Sequence, residues 1–323
     1  MEQYFAVFTV IEYNTSRYEF NFFELSTPNG GLFMKITTVG CGNAFSKRNF
    51  NQCYMLDEGG RRLFVDFGSK IPDAMNHLGI DFKTIDDVYI SHQHADHIGG
   101  LEELAFMRYD WVKRPQHYKE GKYAPRLIVN EVLMNDLWNK SLKGGLASME
   151  GFDAVLETFF EPVPVRANEK FEWQGWTVAL VQQIHAMTGS IIWPSFGLIF
   201  EKQGHPTVYF TTDSQHCSPR QIEVFYKKAD IIFQDCELTG VNMKDRSMVF
   251  KSGVHASYAE LAGFPSANAA VLSPEIKGKM WLSHYQDFYN EKKDFFGNPV
   301  DWDHEAATDG FKGFVQVGQE FEI

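Results

Sequence analysis

Between residues 92 and 97 the chain reads His92-Gln93-His94-Ala95-Asp96-His97, and this stretch narrows its possible folds more than any other. The motif follows the apolar run DDVYIS at 86–91, and LEELAFMRYDWV after it has the 3.6-residue apolar period of a helix packed on a sheet. A polar cluster between a strand and a helix sits where open α/β sheets place their ligand crevices. Side chains two apart in an extended segment point the same way, so His92 and His94 reach a common point. Asp96 and His97 fall where the chain turns into the helix, which aims them elsewhere and suits a second ion nearby. Neutral imidazole and carboxylate are ligands that zinc and its divalent neighbours accept, and two such ions clamp a shared hydroxide.

Two ions need more ligands than one loop supplies. His185 closes WTVALVQQIH, Asp213 closes VYFTTD and His284 closes KMWLSH. Each is a polar side chain at the carboxyl end of an apolar strand, expected on the same sheet edge as the first motif.

A chain of 323 residues buries enough apolar surface to fold without a metal staple, so a metal bound here is expected to be catalytic. The formal charge of -12 weighs against a surface built to grip a long polyanion and favours a small substrate. Cys41, Cys53, Cys217 and Cys236 form no CxxC pair and read as buried free thiols. No apolar run approaches the roughly 20 residues of a membrane span, so no membrane partner is expected. The first segment lacks a basic n-region and a small-residue cleavage site, which points to a cytoplasmic location.

Residues 1–33 alternate aromatic and polar positions and end in the turn sequence STPNGG; they read either as a hairpin-like extension or as sequence ahead of a domain beginning near Met34. MKITTVGCG from Met34 is expected as an edge strand running into a glycine turn. NQCYMLDEGGRRLFVDFG reads as a hairpin turning at Gly59-Gly60, followed by helical spacing over Ile71 to Leu78. Residues 112–172, broken by Pro115, Pro125, Pro162 and Pro164, are expected as an insertion overhanging the site within a 34–323 domain. Strand-like runs return at WTVALVQQI, SFGLIFEK, PTVYFTTD and ADIIFQDCE, with helical segments near Pro219 to Lys228 and Tyr258 to Gly263.

With HxHxDH followed by a His, an Asp and a final His, the sequence resembles the metallo-β-lactamase superfamily. The resemblance covers residues 34 to roughly 290 and includes the glycine turn of TTVGCGNAF and the VDFG strand end. It implies an α/β fold, an αββα sandwich of two mixed sheets with helices outside. It also implies two divalent ions, zinc or manganese: His92, His94 and His185 on the first, Asp96, His97 and His284 on the second, Asp213 bridging.

DCEL at 235–238, SGVHASYAEL at 252–261 and WLSHY at 281–285 are similar to the tRNA 3′-processing ribonuclease Z branch. That likeness implies His255 as proton donor steadied by Asp235, with Asp96 also among the catalytic residues; the alternative for His255 is a helix N-cap neighbour without catalytic duty. His77, His117, His205, His216 and His304 show no partner pattern. No glycine- and proline-rich basic arm for tRNA is present. The LWNKSLKGG segment at 137–145 instead resembles that of phage anti-Pycsar phosphodiesterases, which implies a homodimer opening 3′,5′-cyclic mononucleotides such as cyclic UMP, CMP, AMP or GMP, with the insertion acting in trans. A ribonuclease Z-like endonuclease and a lactonase or thioesterase are the other activities this pattern admits. The aromatics of residues 106–176 suit either base stacking or core packing.

Overall fold

The protein is described here by a computed structural model covering residues 33–109, 124–166 and 169–323. The N-terminal extension other than Phe33, His117 and the first part of the expected insertion lie outside the described residues.

Two-residue alternation sets the layers. In the hairpin strands Cys53–Glu58 and Arg61–Val65, Tyr54, Leu56, Leu63 and Val65 turn to one side while Cys53, Met55 and Phe64 turn to the other. The first set shares one core with Val178, Leu198, Phe200 and Phe210 of a second sheet, and the Tyr54 ring lies 4.9 Å from Phe210 and 4.8 Å from Phe233. The second set packs under helices Ile71–Leu78 and Leu101–Arg108 through Ile71, Ala74, Met75, Leu101, Leu104 and Ala105. Both faces of these strands are buried, which is why they read as nearly continuous apolar runs. On the far side of the second sheet, Tyr209 packs against Phe225 and Tyr226 of the segment after Pro219. The result is the αββα sandwich implied by the sequence.

The first sheet has seven strands in the order Glu320–Glu322, Lys35–Gly40, Cys53–Glu58, Arg61–Val65, Asp87–Ile90, Arg126–Asn130 and Glu161–Val165. The second runs Gly313–Phe314, Met280–Ser283, Ile231–Asp235, Val208–Phe210, Phe196–Glu201, Trp176–Gln182 and Lys170–Trp173. Two expectations are corrected here. Lys35–Gly40 is not an edge strand, because Glu320–Glu322 pairs along it. Residues 126–130 and 161–165, expected within an insertion, are strands of the first sheet; the prolines concealed this, yet Pro162 and Pro164 sit in the edge strand, where a missing N–H is tolerated.

Strand direction positions the site. Arg61–Val65, Asp87–Ile90 and Arg126–Asn130 are parallel. In the second sheet Val208–Phe210, Ile231–Asp235 and Met280–Ser283 are parallel, and Trp176–Gln182 shares their direction through two antiparallel steps. The residues that follow these strands therefore gather at carboxyl ends. No helix among the described residues is long and apolar enough to cross a membrane. Cys41, Cys53, Cys217 and Cys236 are buried free thiols, as expected.

Candidate metal centre

His92 lies two residues beyond Asp87–Ile90, and His94 caps the short helix Ala95–Ile98 that carries Asp96 and His97. His185, Asp213 and His284 follow Trp176–Gln182, Val208–Phe210 and Met280–Ser283. They do not share a sheet with the first motif, as the sequence suggested; the two sheets each bring their own residues to one end of the sandwich. Ligand atoms of His92, His94, His185 and Asp213 all lie within 4.8 Å of one another, and the same holds for Asp96, His97, Asp213 and His284.

Asp213 belongs to both groups through different oxygens. Its Oδ2 is 3.8 Å from His92 Nε2 and 3.7 Å from His185 Nε2, whereas Oδ1 is 3.1 Å from His97 Nε2 and 3.5 Å from His284 Nε2. Asp96 Oδ2 stands 3.3 Å from both His97 Nε2 and His284 Nε2.

Neighbours fix which ring nitrogens are bare. His185 Nδ1 donates to the Val254 carbonyl at 2.8 Å, leaving Nε2 with its lone pair. Ser91 Oγ donates to Asp66 Oδ2 at 2.8 Å and so accepts from His92 Nδ1 at 3.0 Å, which likewise bares His92 Nε2. His97 Nδ1 donates to Asp66 Oδ2 at 2.7 Å. Two of these bare nitrogens converge on one atom: His92 Nε2 and His185 Nε2 each lie 3.0 Å from His94 Nδ1. A proton on His94 Nδ1 can serve only one of the two lone pairs well, whereas a cation among the three rings serves all of them. His97 Nε2 and Asp213 Oδ1 are buried and face each other at 3.1 Å. The donor set fits divalent cations: His92, His94, His185 and Asp213 could hold one, and Asp96, His97, His284 and Asp213 could hold another.

Protonation directions agree. Burial holds His92 and His185 below the ordinary imidazole range, and partial desolvation lowers the more exposed His94 as well, which favours the neutral form that ligates. Burial also opposes protonation of His97, but Asp213, Asp96 and Asp66 outweigh it and push the ring upward, so a cation entering there displaces a proton. Burial opposes ionisation of Asp96 and Asp213, and the surrounding imidazoles outweigh it, holding both below the usual carboxylate range.

Backbone strain marks the same residues. Asp66, Thr212 and His284 have φ of 66°, 52° and 65°, unusual for residues with a Cβ and most of all for β-branched Thr212. His284 N donates to the Cys41 carbonyl at 2.7 Å, tying the glycine turn after the first strand to the site.

His255 stands beside the cluster, its ring centroid 4.4 Å from that of His284 and 5.1 Å from that of His185. Its Nδ1 meets Asp235 Oδ2 at 2.8 Å, and Asp235 in turn accepts from Ser214 N at 2.7 Å. Burial works against charge on this ring, but Asp235 outweighs it and pushes the pKa up to about 10. The helix after it is capped by Ser257, whose side chain accepts from Ala259 N. His216 donates through Nε2 to the Ala270 carbonyl at 3.0 Å and joins none of these groups.

Asp66, the acidic residue of the VDFG strand end, belongs to the site although the sequence motifs assign it no role. It receives the Ser91 amide at 2.8 Å, the Ser91 hydroxyl and the His97 ring, and so orients the whole motif loop. An acidic residue directly after an apolar strand was the available signal. The LWNKSLKGG segment does not border the cluster: Leu137, Leu142 and Leu146 join the core beneath Leu101 and Leu104, and Gly145 lies so close to Glu102 that a Cβ would meet its Oε1 at 1.2 Å.

Fold and site together define a protein of the metallo-β-lactamase fold. Among solved structures, the metallo-beta-lactamase fold protein YhfI from Bacillus subtilis superposes with a TM-score of 0.62 over 90% of this chain and 100% of its own, at 18% identity. At the level of sequence, the family profile described as Anti-Pycsar protein Apyc1 matches residues 34–321, and the chain belongs to that family. Relatives of that name include one from Paenibacillus harenae, 31% identical over 79% of this chain and 90% of its own length. Another, from Bacillus phage vB_BveM-Goe7, is 28% identical over 80% of this chain and 91% of its own length.

Proposed function

We propose that the chain is a dinuclear metal-dependent phosphodiesterase that hydrolyses 3′,5′-cyclic mononucleotides to nucleoside monophosphates, acting in the cytoplasm as a counter-defence enzyme against cyclic-nucleotide immunity. The observation that carries this reading is Asp213, whose two oxygens face two separate histidine groups. Two divalent cations, zinc or manganese, would be held there and would supply a nucleophilic water at neutral pH and charge neutralisation for a phosphoryl group.

The remaining work falls to the chain's own side chains. Asp66, Ser91 and the Val254 carbonyl hold the histidines in the tautomers that ligate. Asp235 takes His255 Nδ1, which leaves the Nε2–H edge to donate a proton to the leaving sugar oxygen. That donor suits an alkoxide leaving group, as a phosphodiester has, over the thiolate of a thioester, which leaves without protonation. The acidic balance of -12 favours a small nucleotide over tRNA. The anti-Pycsar name of the relatives supports the cyclic-nucleotide assignment, and the proposed assembly is a homodimer.

Purified protein mixed with each cyclic mononucleotide and zinc or manganese is expected to yield ring-opened monophosphate. No product from any of them, together with turnover of a lactone, a thioester or precursor tRNA, overturns the proposal.

A further inference from the structure

A cleft of about 480 Å³ opens beside His255 and His284 and is walled by Phe45, Phe288 and Phe295, with Glu237 and Ser252 among its polar residues. This volume lies within the roughly 300–1,000 Å³ of small-ligand sites. Phe45, on a loop at the rim of this cleft, is 82% exposed.

The loop is fixed from several directions. Asp287 accepts from Ser46 Oγ at 2.5 Å, Lys47 N at 2.6 Å, Arg48 N at 3.3 Å and Asn49 Nδ2 at 3.3 Å. Lys70 donates to the carbonyls of Ala44 and Ser46, and Asn43 Oδ1 accepts the Phe45 amide at 3.1 Å. Phe45 has no aromatic ring partner among the described residues. A rigid loop that holds an apolar ring in water beside a reactive site carries a persistent hydration cost, which a flat ligand would remove.

Phe295 is built in a similar way. It is 44% exposed, and its covered side rests on Phe250, Phe296 and Phe288 at centroid distances of 5.2, 5.4 and 6.2 Å. All three contacts are edge-to-face, with interplanar angles of 87°, 81° and 75°. Such support fixes the ring plane and leaves the exposed part for a further aromatic.

We infer that Phe45 and Phe295 form the stacking subsite for the nucleobase, in a cleft that runs from the base to the phosphodiester at His255 and His284. The inference rests on the phosphodiesterase reading and adds the base-binding residues to it. Among the described residues, no aromatic of the 106–176 stretch lines the cleft. Stacking reads the π face common to all bases, so the subsite accepts purines and pyrimidines alike.

The test compares cyclic CMP and cyclic AMP with ribose 3′,5′-cyclic phosphate, which has the phosphodiester and no base. Phe45→Leu and Phe295→Leu are each expected to raise KM for both nucleotides about tenfold and to leave kcat/KM for the abasic diester unchanged. Phe45→Trp is expected to restore KM, and its fluorescence is expected to be quenched by CMP in the metal-loaded protein. Unchanged nucleotide KM in both leucine variants, or an equal loss on the abasic diester, overturns the subsite while leaving the phosphodiesterase reading intact. Wild-type protein that opens neither diester removes that reading and the subsite with it. Melting temperatures of the variants, expected within a few degrees of wild type, show that both comparisons are made on folded protein.

Discussion

Asp235 Oδ2 lies 2.8 Å from His255 Nδ1, while its other oxygen stands 3.5 Å from His284 Nδ1. One buried carboxylate thus faces both the proposed proton donor and a proposed ligand. The His255 ring is raised by Asp235, so it stays protonated through neutral pH and loses its proton only on the alkaline side. Asp235→Asn keeps the shape and removes the charge, which lowers that pKa. The alkaline limb of the kcat/KM profile is expected to move to lower pH, with kcat reduced on the order of 10²-fold. An unmoved limb contradicts the role given to His255.

Asp66 contacts no proposed metal position directly, yet it fixes Ser91 and His97. Replacing such an outer partner typically weakens metal affinity about 10–100-fold. Asp66→Ala is expected to do so in a chelator competition titration, while the far-ultraviolet circular dichroism stays as in wild type.

Gly68 is required for space. A Cβ there would lie 1.8 Å from the Asp96 carbonyl oxygen, which belongs to the backbone and cannot rotate away. Gly68→Ala is expected to destabilise the protein by about 1–3 kcal/mol and to displace the 92–97 loop, lowering metal content as well. Gly144→Ala, where a Cβ meets nothing within 4 Å, is the control; it is expected to leave thermal stability unchanged or raise it slightly.

Asp87 tests the fold away from the site. It accepts from Arg61 Nε at 2.7 Å, Arg61 Nη2 at 2.8 Å, Arg126 Nε at 2.5 Å and Trp173 Nε1 at 2.9 Å, joining the two sheets. Burial opposes its ionisation, but the two guanidinium groups outweigh it and lower the pKa from 3.8. A depressed carboxylate stabilises above its unfolded pKa and loses that contribution as pH falls through the folded value. Asp87→Asn is therefore expected to cost about 2–4 kcal/mol at neutral pH in urea titrations, with the gap to wild type narrowing below about pH 4. A gap constant with pH contradicts the ion-pair account.

Much of this architecture was legible because its causes are local. The hairpin through Gly59-Gly60 and the helix Ile71–Leu78 follow from alternation and helical period, and the helix ends at Gly79 with φ of 68°. The positions His92 to His97, His185, Asp213 and His284 announced themselves as polar residues after apolar strands. What sequence could not reach was pairing between distant segments. Nothing near Lys35 signals that Glu320–Glu322 covers it, and nothing near His92 says that His185 arrives from another sheet. The strand at Glu161–Val165 was hidden by prolines that only an edge position permits. The hydrogen bonds that set the histidine tautomers run partly to backbone atoms, such as the Val254 carbonyl, and so carry no sequence signature.

The proposed mechanism needs His92, His94, Asp96, His97, His185, Asp213 and His284 to hold two cations for phosphodiester hydrolysis. It is tested most directly by measuring metal content and cyclic-nucleotide turnover together in wild type, His94→Ala and His255→Ala. Two equivalents of metal with turnover are expected in wild type, reduced metal without turnover in His94→Ala, and full metal with slow turnover in His255→Ala. Equal metal loss in both variants, or wild-type protein that binds no divalent cation, would contradict the account.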